Sequence, residues 1–442
     1  MKYGCLSFVK TVNWYWENAW NNRALLNIGD AAEYKVVDQL LEKIDRNSSR
    51  HELSIDELKS YRGEDLIVPL NIALDSYIGY NSILDNLSPN IIPVFLGMSF
   101  AEPRLNPEQI ACLKRYQPIG CRDERSYQLM VENGIDAYLN GCMVSIIETD
   151  KIVDRQASSG KDILFIDVPS EIKEFVPESI KRDAKFISQE LYIKKGELGE
   201  DFDPDLWFKS VLDQYADAKL IVTSRFHGAV IALAMGIPVI VTLEKKTFRF
   251  SWLSNFCQIV TKSHFDKIVW DVKSYDYTQV KKLMSKIAID RISETTDCYS
   301  DRQHLTELMT DKCKEENDSS NQVLYYHKVK DRIISEWNKT DEIKYAIWGL
   351  NDNAMHLQEL IRQEYPNAKL VAVLDMFKET EYEGIRSIHP REYLERLKEN
   401  NTYLLVTAYL ASRVVKDIFG DDENLNRKIY KCERDLLQSF DS

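Results

Sequence analysis

Along the first 300 or so residues, short apolar runs alternate with stretches whose apolar positions recur every three or four residues. The runs predict strands at 3–9, 65–71, 90–97, 118–122, 162–168, 218–223 and 237–243. The stretches between them predict helices at 31–45, 107–115, 124–133, 178–189, 204–216, 226–235 and 276–290. In 31–45, Tyr34, Val37, Leu41 and Ile44 fall on one helical face. Strands and helices in alternation point to an α/β fold with parallel sheets covered by helices. There is room for two Rossmann-like lobes, at 1–150 and 151–300, with the break near the polar "DRQASSGKD" (154–162).

The pattern then changes. "SETTDCYSDRQHLTELMTDKCKEENDSSNQ" is polar throughout and leads into a helical "VLYYHKVKDRIISEWNK", so 301–342 reads as a charged, partly helical linker. A smaller Rossmann-like α/β unit is expected over 343–442. Its strands fall at 344–349, 369–375, 382–388 and 402–408, and its helices near 353–364 and 390–399.

Composition narrows the function classes. The chain has 442 residues, 44% hydrophobic, and a formal net charge of -13. An acidic surface is a poor general partner for nucleic acid, whose phosphates demand clustered Lys and Arg. The start, "MKYGCLSFVKTVNWYWENAW", does not read as a signal peptide. The longest apolar run, 229–241, holds Gly236 and Pro238 and falls short of the ~20 residues a spanning helix needs. A cytoplasmic location, with peripheral attachment to the membrane's inner face left open, is the expectation. The eight cysteines form no CxxC pair and are expected as reduced, mostly buried thiols. No metal-ligand cluster and no cofactor are expected.

Chemistry concentrates in "LIVTSRFHGAVIALAMGIPVIV", 220–241. Charged groups inside such a run are costly unless paired or used. The pattern is strand, turn and helix, with "TSR" as the turn, His227 and Gly228 in the first helical turn, and Gly236 with Pro238 at the helix end. Ligands of open α/β sheets bind beyond the carboxyl ends of strands, and a helix N-terminus there favours anions. Arg225 offers a bidentate fork, His227 a titratable proton, and Gly228 close approach of a ligand to the backbone, with Ser224 a further candidate for substrate binding. A buried pair and a satisfied core histidine is the bland reading of the same residues.

Three further segments are candidates. In "NIGDAAEYKVVDQLL", Asp30 and Glu33 suggest a D-x-x-E capping box, and Gly29 a tight turn. Asp30 serves as a cap or orients a sugar hydroxyl. In "IGCRDERS", Asp123 reads as an N-cap and Arg122 stands at a strand end, where an anion could sit. In "YAIWGLNDNA", Gly349 begins a strand–turn–helix, but Asn351 and Ala354 replace the other glycines of a dinucleotide fingerprint; Asp375 closes the next strand.

Together, "NIGD", "IGCRDERS" with "GI" at 134–135, "NGC" at 140–142 and the Arg-x-His-Gly segment resemble the polysaccharide pyruvyl transferase family across about residues 1–260. The resemblance implies a two-lobed, GT-B-like fold with the ligand cleft between lobes. It implies transfer of the pyruvyl group of phosphoenolpyruvate to two hydroxyls of a sugar, as a cyclic ketal, in capsule, exopolysaccharide or other polysaccharide biosynthesis. The acceptor is a polysaccharide or a polyprenyl-diphosphate-linked precursor. The family's essential histidine and arginine match His227 and Arg225, and its first turn matches Asn27, Gly29 and Asp30. Met143-Val144 stand where the family usually has Pro-Thr. Arg122 and Arg249 would supplement the grip on the donor. The alternative is a GT-B-type glycosyltransferase using a nucleotide sugar, with Glu244 as the ribose carboxylate. A third is a silent binding protein whose 340–442 unit does the work.

Overall fold

The computed structural model describes residues 2–10, 23–46, 50–74, 83–100, 104–154, 160–194, 203–294, 298–310, 327–350, 352–375, 381–390, 392–393, 397, 402–407, 415 and 423–431. The aromatic segment 13–20 lies outside them. The described residues up to 310 form one compact unit, and those from 327 to 431 a second.

The first unit begins with β1 (Lys2–Leu6), β2 (Arg23–Asn27), α1 (Ile28–Ile44), β3 (His51–Leu53), β4 (Leu66–Leu70) and β5 (Ile91–Phe95). Then come α2 (Pro107–Arg115), β6 (Ile119–Cys121), α3 (Glu124–Glu132) and β7 (Ala137–Leu139). Four of the strands make a parallel sheet of order β3-β1-β4-β5. Met98, just beyond β5, bridges in parallel to Cys121, so the parallel pair β6–β7 continues the sheet. Leu53, Val68, Phe95 and Met130 are among the residues of its core.

A second parallel set follows: β8 (Asp162–Ile166), β9 (Ala184–Ile187), β10 (Glu190–Lys194), α4 (Pro204–Ala216), β11 (Ala218–Thr223), α5 (Phe226–Ala234), β12 (Val239–Leu243) and β13 (Gln258–Thr261). The sheet order is β9-β8-β11-β12-β13, parallel throughout. Strand β10 leaves it and pairs antiparallel with β2, from Glu190 opposite Asn27 to Lys194 opposite Arg23. Helices α6 (Thr278–Ser293) and α7 (Tyr299–Met309) complete the unit. Every residue of α5 is buried, as its all-round apolar sequence demands. Gly236, at φ 65, ends it, and Lys281 of α6 donates to the terminal carbonyl of Ala234.

Several expectations change. Only Glu178–Lys181 is helical in 178–189; Asp183 closes that turn and Ala184–Ile187 joins the second sheet as its edge. The start of the expected linker is instead helix α7 of the first unit. Its polar sequence hides a buried face of Leu305 and Met309, and its buried Arg302 reaches Asp136 at 3.1 Å. The expected capping box at Asp30 is replaced by Asn27, whose side chain accepts from Gly29 N at 2.8 Å, so the helix starts at Ile28. Among the described residues no helix is long and apolar enough to cross a membrane.

The second unit contains α8 (His327–Glu336), β14 (Lys344–Trp348), α9 (Asp352–Glu364), β15 (Lys369–Leu374), β16 (Glu381–Tyr382), β17 (Ile385–Arg386), β18 (Thr402–Val406) and β19 (Ile429–Lys431). Its sheet runs β15-β14-β18-β19, all parallel. The strand expected at 382–388 is a two-residue hairpin, β16–β17, because Glu383 and Gly384 both turn at positive φ. Gly349 has φ 93, the conformation expected of a glycine turn, and Asn351 lies outside the described residues.

Candidate active site

The parallel strands of the first unit deliver the candidate residues from their carboxyl ends. Asn71 follows β4, Gly97 follows β5, Arg122 follows β6 and Cys142 follows β7. From the second sheet, Asp167 follows β8 and Ser224–Arg225 follow β11, with His227 in the first turn of α5. Helix α1 adds Gly29 and, one turn later, Glu33.

At the centre, one oxygen of Glu33 meets groups from both sheets. Its Oε1 lies 2.7 Å from Arg122 Nη2 and 3.2 Å from His227 Nε2. The Cys142 thiol stands 3.7 Å from the same Nε2. Arg122 is only 1% exposed; it donates from Nε to Gly97 O at 3.2 Å and from Nη2 to Asn71 Oδ1 at 3.3 Å. Arg122 is therefore sealed around Glu33 and does not stand at the strand end for an external anion. The next residue, Asp123, caps α3 through Ser126 N at 2.9 Å and accepts from Ser99 at 2.6 Å, as its sequence suggests.

Burial works against every charge in this cluster, and the ion pairs decide the outcome. Burial would raise the Glu33 carboxyl, but Arg122 and His227 overcome it and hold Glu33 below the usual range. Burial would likewise weaken the Arg122 cation, and Glu33 reverses that. For His227 burial dominates: even with Glu33 beside it, the imidazole lies below its ordinary value, with Arg122 and Arg249 also pushing down. The resting state at neutral pH is anionic Glu33, cationic Arg122 and neutral His227. Burial pushes the Cys142 thiol up to about 11, so it is no ready nucleophile. It also shares Nε2 with Glu33, which no nucleophile–base–orienter triad does.

Among the described residues, Glu33, Cys142 and His227 offer ligand atoms within 4.8 Å of one another and could hold a metal ion. The buried guanidinium on the same carboxylate oxygen opposes a dication there.

Arg225 belongs to a second pairing. Its Nε donates to Asp167 Oδ2 at 2.7 Å, and its side chain stays 17% exposed. Asp167 adopts φ 47, a left-handed conformation uncommon outside glycine, and the same Oδ2 accepts from Gln189 N at 3.3 Å. Ser224 donates its hydroxyl to Asp167 O, so it braces this turn. Gly228 is required by packing, since a Cβ there would lie 2.6 Å from Thr223 Oγ1. Arg249 is exposed, with its guanidinium 5.4 Å from the ring centroid of Phe226. Phe226 in turn packs edge-on against His227. Asp30 is half-buried in the first turn of α1, and Glu244 half-buried just past β12.

Of the residues singled out from sequence, Gly29, Arg122 and His227 converge; Arg225 pairs separately with Asp167; Asn27, Ser224 and Gly228 shape backbone. Glu33, Asn71 and Cys142 complete the cluster, and Asp167 completes the Arg225 pair. A Cβ on Gly29 would fall 1.9 Å from His227 Nδ1. Gly29→Ala is therefore expected to push the imidazole off Glu33 and to destabilise the unit by ~1–3 kcal/mol. Denaturant unfolding with parallel turnover measurement checks this, and a fully active variant of native stability would contradict it.

No curated protein matches the chain. A family model does match, that of polysaccharide pyruvyl transferase, over residues 27–243. The match opens at the helix-capping Asn27 and closes at the end of β12. It encloses Gly29, Glu33, Asn71, Arg122, Cys142, Asp167, Arg225 and His227. Through this span the chain is similar to the polysaccharide pyruvyl transferase family.

Proposed function

We propose that the chain transfers the pyruvyl group of phosphoenolpyruvate to two hydroxyls of one sugar, forming a cyclic ketal on a polysaccharide or its lipid-linked precursor. One observation carries the reading: within the family-matched span, Arg225 and His227 stand at a strand-to-helix turn, each facing a carboxylate. The donor brings a phosphate and a carboxylate. Arg225, its plane set by Asp167, clamps one of them with the N-terminal dipole of α5 beside it.

The neutral imidazole is the starting point for proton transfer. A bound polyanion raises its proton affinity. The imidazolium then gives its proton to C3, which becomes methyl, while the first sugar hydroxyl forms a bond to C2 and returns its proton to the ring. The C2–O bond to phosphate breaks, the second hydroxyl closes on C2, and its proton leaves with the phosphate. No cofactor enters this scheme.

The free enzyme should lose its imidazolium at low pH. kcat/KM is expected to fall as pH rises through a group below the ordinary histidine value, whereas the same limb in kcat, which reports the complex, should lie at higher pH. Coincident limbs above pH 7 would contradict the assignment. The reaction itself is tested by mass spectrometry of candidate glycan acceptors incubated with phosphoenolpyruvate. The ketal mass gain is expected; its absence across acceptors, with a nucleotide sugar alone raising the melting temperature, would support glycosyl transfer instead.

A further inference from the structure

We propose that Glu33 is a positioning residue for His227: held by Arg122, its carboxylate keeps the hydrogen of the neutral ring on Nε2 and stabilises the imidazolium when it forms. The inference rests on the proton-transfer role given to His227 above.

A neutral imidazole carries one N–H, and an ionised carboxylate only accepts. Nε2 stands 3.2 Å from Glu33 Oε1. Were the hydrogen on Nδ1, the Nε2 lone pair would face that anion across the same gap. The hydrogen therefore belongs on Nε2. The groups facing His227 are Glu33 from α1, Arg122 beyond β6, Cys142 beyond β7 and Arg249 beyond β12. Glu33 is the anion among them, and the two arginines disfavour a charged ring. Cys142, a protonated thiol, adds only a weak contact at 3.7 Å.

The opposite edge of the ring packs against the α1 turn. Nδ1 lies against Gly29, whose missing side chain leaves room for the ring. Arg122 fixes Glu33 in turn through a 2.7 Å contact, and is itself fixed by Gly97 O and Asn71. The chain Arg122–Glu33–His227 thus orients an imidazole from behind and stabilises the imidazolium when it forms, by the same logic as the carboxylate of a serine hydrolase triad.

The test has two independent arms. In histidine-labelled protein, two-bond proton–nitrogen spectra assign the His227 ring by its loss in His227→Ala. The expected result is the Nε2–H tautomer in the wild-type chain; an Nδ1–H tautomer would overturn the proposal. This arm needs no donor, so it stands even if phosphoenolpyruvate proves not to be the substrate. In the kinetic arm, Glu33→Gln should lower kcat about 10²-fold with little change in KM for phosphoenolpyruvate. Its basic limb in kcat should move to lower pH, because the anion that favours imidazolium is gone. Glu33→Asp, which keeps the charge, should keep the limb near its wild-type position. A Glu33→Gln enzyme with an unmoved limb would show Glu33 to be merely structural.

Discussion

Replacing His227 by alanine is expected to slow the proposed ketal formation by orders of magnitude while leaving the chain folded. General acid–base groups contribute typically 10²–10⁴-fold, and a loss in that range is the expected effect. The fold should survive because no charge is orphaned: Glu33 keeps its 2.7 Å contact with Arg122 when the imidazole goes. The ring is buried between Gly29, Cys142 and Phe226, so its removal leaves a small void worth ~1–2 kcal/mol. Mass spectrometry of the acceptor gives the first quantity and a thermal melt the second. Product within a few-fold of wild type would remove His227 from proton transfer. A collapsed melt would mean that the residue serves the core instead.

Arg122→Leu should give the largest loss of stability. The substitution deletes three partners at once: Glu33, Asn71 Oδ1 and the carbonyl of Gly97. It also strands Glu33, a buried carboxylate, with only a neutral imidazole beside it. Breaking a buried pair from one side typically costs about 3–5 kcal/mol, mostly through the charge left behind. If so, adding Glu33→Gln should restore much of the loss, because the stranded charge disappears. Denaturant unfolding of the wild type, both single variants and the double variant closes the cycle. Additive effects would mean that the two side chains are not energetically linked, contrary to their geometry.

Much of this site could be read along the chain, and its hidden part has a common physical cause. The turn at Ser224–Arg225–His227 was legible because an apolar strand, a break and a small-residue helix follow one another without interruption. The bounds of β11 are those expected at 218–223. Arg122 was legible as a cation at a strand end, but its role was not, since the partners that seal it lie on α1 and beyond β4 and β5. Glu33 was hidden by a local alternative: three residues after Asp30, it fits a capping box. Only the folded chain shows that Asn27 holds the cap and that Glu33 is turned toward His227. Asp167 closes an ordinary strand pattern, and nothing nearby in sequence announces Arg225. Helix α7 was misread for a related reason. Its buried stripe is narrow, and Arg302 buries a charge that composition assigns to solvent.

The ribbon formed by β2 and β10 has a consequence for how this enzyme can diverge. It holds the turn bearing Asn27 and Gly29 by main-chain pairing, with Asn27 opposite Glu190. An insertion or deletion along 190–194 would slip the pairing and swing Gly29 away from the imidazole. Natural variation in this segment should be intolerant of changes in length.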